Sequence, residues 1–154
     1  MSRTDIWLLC APKSATFDVQ NFLSTQGLNP KWKPQPHTPG CLQTRFQTSL
    51  SEAQVAKLVS LLSKSGVVFE VHRSSAEPCL LLGHPGLGLK RLAVDASGEI
   101  VLRIGQLERL MRESDGNQRE LDRLLRLETG TAWLDLLEPY RLETTRVSQL
   151  PRAV

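Results

Sequence analysis

Three cysteines and three histidines are the residues of this chain that could form a nucleophile or hold a metal. His37 precedes Cys41 by four positions, and Cys79 precedes His84 by five. A cysteine nucleophile needs a histidine base within hydrogen-bond reach and a third group that orients the base. A Thr-Pro-Gly turn separates the first pair, no acidic residue lies near it, and the second pair is similarly loose. These spacings indicate ordinary thiols and surface histidines, although the sequence leaves open a pairing made through space.

The same residues do not form a metal motif. The sequence contains neither Cys-x-x-Cys nor His-x-x-x-His, which are spacings typical of zinc sites. An odd number of cysteines at wide spacings argues against a disulfide framework and fits reduced thiols. Gly86-Leu87-Gly88 comes before a strand pattern, whereas a phosphate-binding loop opens a helix. We therefore expect no metal, no cofactor and no catalytic residue.

The first half of the chain, residues 1–75, reads twice as strand, helix, strand. This order is the split βαβ arrangement of a ferredoxin-like sandwich, in which two helices cover one face of a four-stranded antiparallel sheet. The second helix is the best marked, because Ser51 and Gln54 form a capping-box pattern before an apolar stripe. The predicted elements are strand Asp5–Ala11, helix Ser14–Gln26, strand Pro30–Gln35, strand Cys41–Ser49, helix Ser51–Ser65 and strand Val67–Ser74.

The first strand is apolar on both of its faces, from Ile6 to Ala11. That pattern is typical of a strand covered on both sides, whereas a bare ferredoxin-like sheet leaves one face in water. We therefore predict that the second half, residues 76–154, extends the sandwich or covers its open face within one compact α+β domain. The pattern predicts a hairpin of Leu89–Asp95 and Glu99–Arg103, followed by two to three helices.

Two alternative functions follow from this fold. An RNA-recognition domain stacks bases on aromatic residues of its two central strands. Trp7 suits that role, but the third strand offers only Phe46 and has no glycine beside it. A small-molecule-sensing domain of the same topology needs a glycine-marked loop after the first strand, where this chain has Ala11-Pro12-Lys13. Both remain alternatives to an interaction module, because the fold alone does not choose a function.

Charge and hydropathy exclude other classes. The formal net charge is +3, and the basic residues of the first half are scattered instead of forming the stripe of a nucleic-acid binder. No run of 18 apolar residues occurs, and the N-terminus lacks the charged, apolar and small segments of a signal peptide. We expect a cytoplasmic protein without a membrane span.

A resemblance to a known family rests on motifs spread along the chain. They are Ala11-Pro12-Lys13, Trp32 with Gln35-Pro36 and Pro39-Gly40, Phe69-Glu70-Val71 before Glu77-Pro78, Leu87-Gly88, Asp95–Ile100, and Trp133 with Leu137–Arg141. Over about residues 5–142, these motifs resemble a family of small actinobacterial proteins described only as a domain of unknown function, family 3145. The resemblance brings no catalytic residue. It implies an association with the genes of fatty-acid synthesis and acyl-CoA carboxyl transfer.

These observations favour a non-catalytic accessory or regulatory subunit that docks onto a larger enzyme complex. The resemblance makes the acyl-CoA carboxylase and fatty-acid synthesis machinery of an actinobacterium the expected partner. Interfaces concentrate their energy in buried aromatic residues with arginine nearby. The Pro-rich turn and the C-terminal segment carry such residues, and the predicted interface consists of Trp32, His37, Trp133, Glu138, Tyr140 and Arg141.

Overall fold

The chain folds as an α+β protein around one six-stranded antiparallel sheet. The computed structural model describes residues 3–141. The strands are β1 (Arg3–Pro12), β2 (Lys33–Pro34), β3 (Cys41–Thr48), β4 (Val68–Ser74), β5 (Cys79–His84) and β6 (Gly88–Ala93). The helices are α1 (Lys13–Thr25), α2 (Glu52–Lys64), α3 (Ile104–Ser114), α4 (Gln118–Glu128) and α5 (Thr131–Leu137), followed by a 3₁₀ turn, Glu138–Arg141. The order across the sheet is β2-β3-β1-β4-β5-β6, so β1 is a central strand and β6 is an edge.

Strand β1 is buried on both faces and divides the interior into two cores. Ile6 and Leu8 pack into the first core, and Leu9 packs into the second. The pairing register shifts after Leu8 against both neighbouring strands. This bulge places two successive residues, Leu9 and Cys10, in the second core. The alternation of side chains between the two cores then resumes with Ala11, which lies in the first core.

The first core lies between the sheet and helices α1 and α2. Helix α2 begins with the predicted capping box, in which the Ser51 hydroxyl accepts from the Gln54 amide and the Gln54 side chain accepts from the Ser51 amide. Its apolar stripe faces the sheet, and the residues Val55, Leu58, Val59 and Leu62 are all buried. Phe69 of β4 is fully buried against this layer.

The second core lies on the opposite face of the sheet and is closed by the C-terminal helices. Trp133 and Leu137 of α5 pack against β5 and β6 residues Leu80, Leu82 and Leu92. Helix α4 packs on α5, and α3 packs on α4. The second-half helices therefore cover the part of this face formed by β4, β5 and β6.

The structure confirms the first strand of the predicted hairpin and corrects the second. The predicted strand Leu89–Asp95 corresponds to β6, which also pairs with β5. The Asp95 carboxylate accepts hydrogen bonds from the amides of Ser97 and Glu99 and closes the predicted turn. After this turn Glu99–Arg103 is not a strand: Ile100 forms an isolated bridge with Val94, and the Val101 amide donates to the Ala93 carbonyl.

The predicted strand Pro30–Gln35 is also shorter than expected. Only Lys33 and Pro34 pair with β3. Proline has no backbone N–H to donate to a ladder, so the prolines of this stretch limit the pairing to two residues. Helix α1 begins at Lys13, one residue before the predicted start, and Pro12 occupies the N-cap position without a side-chain cap.

Gly83 of β5 is required by the ring of Phe69, which lies directly opposite on β4. A Cβ atom at Gly83 would fall inside the van der Waals radius of that fully buried ring. We expect Gly83→Ala to lower the free energy of unfolding by about 1–3 kcal/mol, since the core must shift to make room. Urea unfolding followed by circular dichroism measures the loss. Gly27→Ala is the contrasting variant. A Cβ there meets nothing within 4 Å, so this substitution causes backbone strain at the positive φ of 74° and no clash with the core. An unchanged stability in Gly83→Ala would contradict this packing.

Candidate functional site

A buried carboxylate on β4 fastens the end of the C-terminal layer to the sheet. Glu70 lies on the second face of the sheet and is only 5% exposed. Arg141, in the 3₁₀ turn, donates from Nε and Nη2 to Glu70 Oε2 at 2.9 and 2.6 Å. His72 Nε2 lies 2.9 Å from Glu70 Oε1. Both carboxylate oxygens therefore have a partner, which is the condition for burying an ion pair at acceptable cost.

The pKa of Glu70 reflects these opposing influences. Burial raises the pKa of Glu70, whereas the hydrogen bond from His72 and the charge and hydrogen bonds of Arg141 lower it. The lowering prevails, so the pKa of Glu70 lies below its ordinary value and the group is ionised at neutral pH. A carboxylate held in this state is an acceptor for arginine, and it is unsuited to act as a general acid.

The Pro-rich turn meets the same 3₁₀ turn through one buried amide. Gln35 Nε2 donates to the backbone carbonyls of Leu9, at 2.5 Å, and Tyr140, at 3.0 Å. Its oxygen accepts the backbone amide of His37 at 2.9 Å. The ring of His37 then packs edge-on against Tyr140, with centroids 4.9 Å apart. Four of the six predicted interface residues thus lie close together, and they are held by one another and by β1 and β4.

The two remaining predicted interface residues lie elsewhere. Trp133 is 6% exposed in the second core, and its Nε1 donates to the Gly88 carbonyl at 2.9 Å. Trp32 is half-buried at the margin of the first core, where its Nε1 donates to Gln20 Oε1 at 2.8 Å. Both tryptophans therefore pack into the fold, and Tyr140 packs against the same second core that contains Trp133.

The second face over β1 and β3 carries polar groups in place of helices. Arg45 pairs with Asp5 at 2.9 Å, and its guanidinium lies 4.8 Å from the centre of the Trp7 ring. A shallow groove of about 280 Å³ adjoins this pair and is lined by Arg3, Asp5, Arg45, Gln47, His72 and Ser74. Because Arg45 stacks on Trp7, the ring that the sequence offered for base stacking already has a partner from the protein itself.

Among the described residues, no hydrogen bond joins a cysteine thiol to a histidine ring: His72 contacts Glu70, His84 accepts from the Gly86 amide, and His37 packs on Tyr140. Cys79 and His84 lie at opposite ends of β5. Burial, together with the neighbouring Cys41 thiol, raises the pKa of Cys10 to about 11. Such a thiol is protonated at neutral pH and is a poor nucleophile. Within residues 3–141, no group of three or more His, Cys, Asp or Glu side chains could hold a metal ion.

The largest exposed apolar surface of the C-terminal layer runs along α3. Ile104 is 75% exposed, Met111 54% and Leu107 36%, whereas Leu110 is 3% exposed. Positions 104, 107 and 111 share one side of a helix, since three and seven residues are close to one and two turns. Val101, which precedes Ile104 by three positions in the chain, is 45% exposed. We call these four residues the α3 stripe.

Local sequence predicts one apolar face for this helix and does not distinguish the exposed Leu107 and Met111 from the buried Leu110. A signal was nevertheless present, because the apolar residues at positions 104, 107, 110 and 111 form a broad face, and α4 is the main packing partner of α3 in the described part of the chain.

Comparison with known proteins agrees with the resemblance noted from the sequence. The chain matches the family described as "Protein of unknown function (DUF3145)" over residues 7–150. Neither a search of curated proteins nor a search of solved structures finds a significant match. Among residues 3–141, no helix has the length and apolar content needed to cross a bilayer. Because the match covers nearly the whole chain, the protein belongs to the DUF3145 family.

Proposed function

We propose that the protein is a non-catalytic accessory or regulatory subunit that docks onto a larger enzyme complex through the α3 stripe. The exposure of Ile104, at 75%, is the observation that carries this proposal. Isolated apolar side chains are common on protein surfaces, but four on one side of a helix and its approach form a patch of the kind that marks an interaction site. A methionine in the patch suits an interface, because its flexible thioether adapts to the partner.

The C-terminal layer suits a docking role because it is rigidly attached. Trp133 and Leu137 anchor α5 in the second core, and Arg141 holds the following turn to Glu70. Between α3 and α4, Gln106 and Arg109 both contact the Glu128 carboxylate, at 2.9 and 3.3 Å. A preformed surface loses little conformational entropy on binding, and this supports affinity.

The proposed architecture is a ferredoxin-like unit at residues 1–75 with residues 76–154 as an extension, of which the described part, up to residue 141, packs on the sheet; residues 142–154 lie outside the described residues. The order β2-β3-β1-β4, with α1 and α2 on one face, supports this assignment. In this arrangement the face that other ferredoxin-like domains expose for ligands is partly covered by the extension, which supports a role in protein binding over RNA binding.

The proposed partner is the acyl-CoA carboxylase or fatty-acid synthesis machinery of an actinobacterium, in the cytoplasm. The gene association implied by the family resemblance supports this choice. It supplies a defined reagent for the test, namely the purified carboxylase holo-complex.

We expect Ile104→Asp combined with Met111→Asp to weaken binding to the carboxylase complex at least about tenfold, because each substitution places a charge in an apolar contact. Biolayer interferometry with the full-length protein measures the affinity. Surface substitutions usually change stability by less than about 0.5 kcal/mol, so the melting temperature should hold.

Phe17→Asp is the matched control. Phe17 is 71% exposed on α1, which packs on the other face of the sheet from α5. This variant should bind like wild type. Equal binding by the α3 double variant and wild type would refute docking through the α3 stripe, and no binding by wild type would refute the carboxylase as the partner.

A further inference from the structure

Strand β6 is an edge of the sheet whose outward backbone groups are open over part of its length. The Ala93 carbonyl accepts from Val101 at 2.9 Å, and the Val94 amide donates to Pro78 at 3.3 Å. Backbone groups alternate in direction along a strand, so Leu89 and Arg91 direct their N–H and C=O groups away from β5, as Ala93 does. Within residues 3–141, these outward groups of Leu89 and Arg91 have no hydrogen-bond partner.

A cavity lies on each side of this edge, and Arg91 lines both. The cavity on the α2 side measures about 300 Å³ and is mainly apolar, with walls that include Val55, Val59, Leu81 and Leu89. The cavity on the α3 side measures about 350 Å³ and is polar, with walls that include Lys90, Arg103, Gln106 and Glu128. Val101 lines the second cavity, so the α3 stripe ends at this edge.

We propose that β6 binds an extended segment of a partner protein by strand addition, and that the segment alternates apolar with acidic residues. An added strand directs successive side chains to opposite faces of the sheet. Its apolar side chains would enter the cavity beside α2. Its acidic side chains would enter the cavity beside α3, where Lys90 and Arg103 outnumber the single carboxylate of Glu128.

The charges on β6 also argue against a second copy of this chain as the partner that binds this edge. Pairing of β6 with another β6 would bring the cations Lys90 and Arg91 of both copies together, and like charges directly opposite are destabilising. The same cations attract an acidic segment. The other edge of the sheet, β2, is two residues long and contains Pro34, so it offers little backbone for strand addition.

The proposed strand addition specifies the chemistry of the partner in the docking function proposed above. It rests on that function in one respect: the added segment is taken to belong to the docking partner. The two are tested separately. The α3 double variant tests docking on the carboxylase complex, whereas β6 is tested with peptides that need no known partner.

The probe is a phage-displayed library of random twelve-residue peptides, selected on the full-length protein. We expect enrichment of peptides in which Val, Ile or Leu alternates with Asp or Glu. Arg91→Pro should lower the affinity for a synthetic enriched peptide at least tenfold in fluorescence anisotropy. Proline removes the outward N–H of residue 91, whereas the ladder to β5 uses the groups of Lys90 and Leu92.

Two further measurements keep the test decisive if Arg91→Pro fails to fold. Lys90→Glu retains the backbone, reverses a charge in the cavity beside α3 and should weaken binding of the acidic peptide by the same order. N-methylation of alternate peptide residues should abolish binding in one register and spare it in the other, since only every second amide faces β6. Phe17→Ala is the control and should bind like wild type.

Several outcomes would overturn strand addition. They are a selection that enriches no peptide, enriched peptides without the alternation, and binding that survives both Arg91→Pro and Lys90→Glu. A concentration-dependent dimer in analytical ultracentrifugation that Arg91→Pro abolishes would assign the edge to a second copy instead. Loss of peptide binding with intact carboxylase binding would separate the β6 site from the docking surface.

Discussion

Trp133→Ala is expected to lower the free energy of unfolding by about 4 kcal/mol, the range for truncating a buried tryptophan. The indole fills the second core with Leu82 and Leu137, which are both fully buried. Its Nε1 also donates to Gly88, a residue 45 positions earlier in the chain. The substitution therefore leaves a cavity and an unpaired carbonyl between α5 and the sheet. Urea unfolding followed by far-ultraviolet circular dichroism measures the loss.

Trp133→Phe separates the contribution of core packing from that of the hydrogen bond to Gly88. It keeps an aromatic ring in the core and loses the hydrogen bond to Gly88, so we expect a smaller loss of about 1–2 kcal/mol. Phe17→Ala, at an exposed site, should stay within about 0.5 kcal/mol of wild type. Normal stability in Trp133→Ala together with lost partner binding would contradict the structural role and restore the interface role predicted from the sequence.

Arg141→Ala has the second largest expected effect, a loss of about 3 kcal/mol at neutral pH. Removal of one partner from a buried ion pair leaves the other charge without compensation. Here the remaining charge is that of Glu70, whose side chain is 7% exposed, and only His72 would still contact it. Glu70→Gln should cost less, because the Arg141 side chain is 26% exposed and regains contact with water. A smaller loss in Arg141→Ala than in Glu70→Gln would contradict this assignment.

The pH dependence of stability provides an independent measurement of the same pair. The pKa of Glu70 is lower in the folded protein than its ordinary value, so ionised Glu70 stabilises the fold. This stabilisation is complete above the ordinary carboxyl pKa and is lost as the pH falls through the lowered pKa. Unfolding free energies measured between about pH 3 and pH 7 should therefore fall less steeply with acid in Glu70→Gln than in wild type. An unchanged acid slope would show that Glu70 has the same pKa in both states.

Much of the first half could be predicted from local sequence signals. The capping box of Ser51 and Gln54, the apolar stripe of α2 and the alternation of β3 each depend on near neighbours in the chain, and the structure has α2 within one residue of its predicted limits. The apolar residues on both faces of β1 also predict a second layer that covers the sheet.

The rest depended on contacts between distant residues. The Pro and Gly residues that flank Cys79–His84 favour a loop, but this segment is a buried strand that pairs with both β4 and β6. No local pattern distinguishes a core tryptophan such as Trp133 from a surface one. The sequence marks Glu70 only within the Phe69-Glu70-Val71 motif, because its partner Arg141 lies 71 positions away.

The attachment of residues 131–141 to the centre of the sheet also bears on how the protein is made. Leu9, Val68, Leu80 and Leu82 are synthesised well before α5, which covers them. On the ribosome, this apolar face of the sheet has no cover until α5 and the Arg141 turn leave the exit tunnel. Transiently exposed apolar surface makes partly folded chains prone to aggregation. The second half of the molecule therefore protects the first from aggregation only after residues 131–141 have emerged and folded.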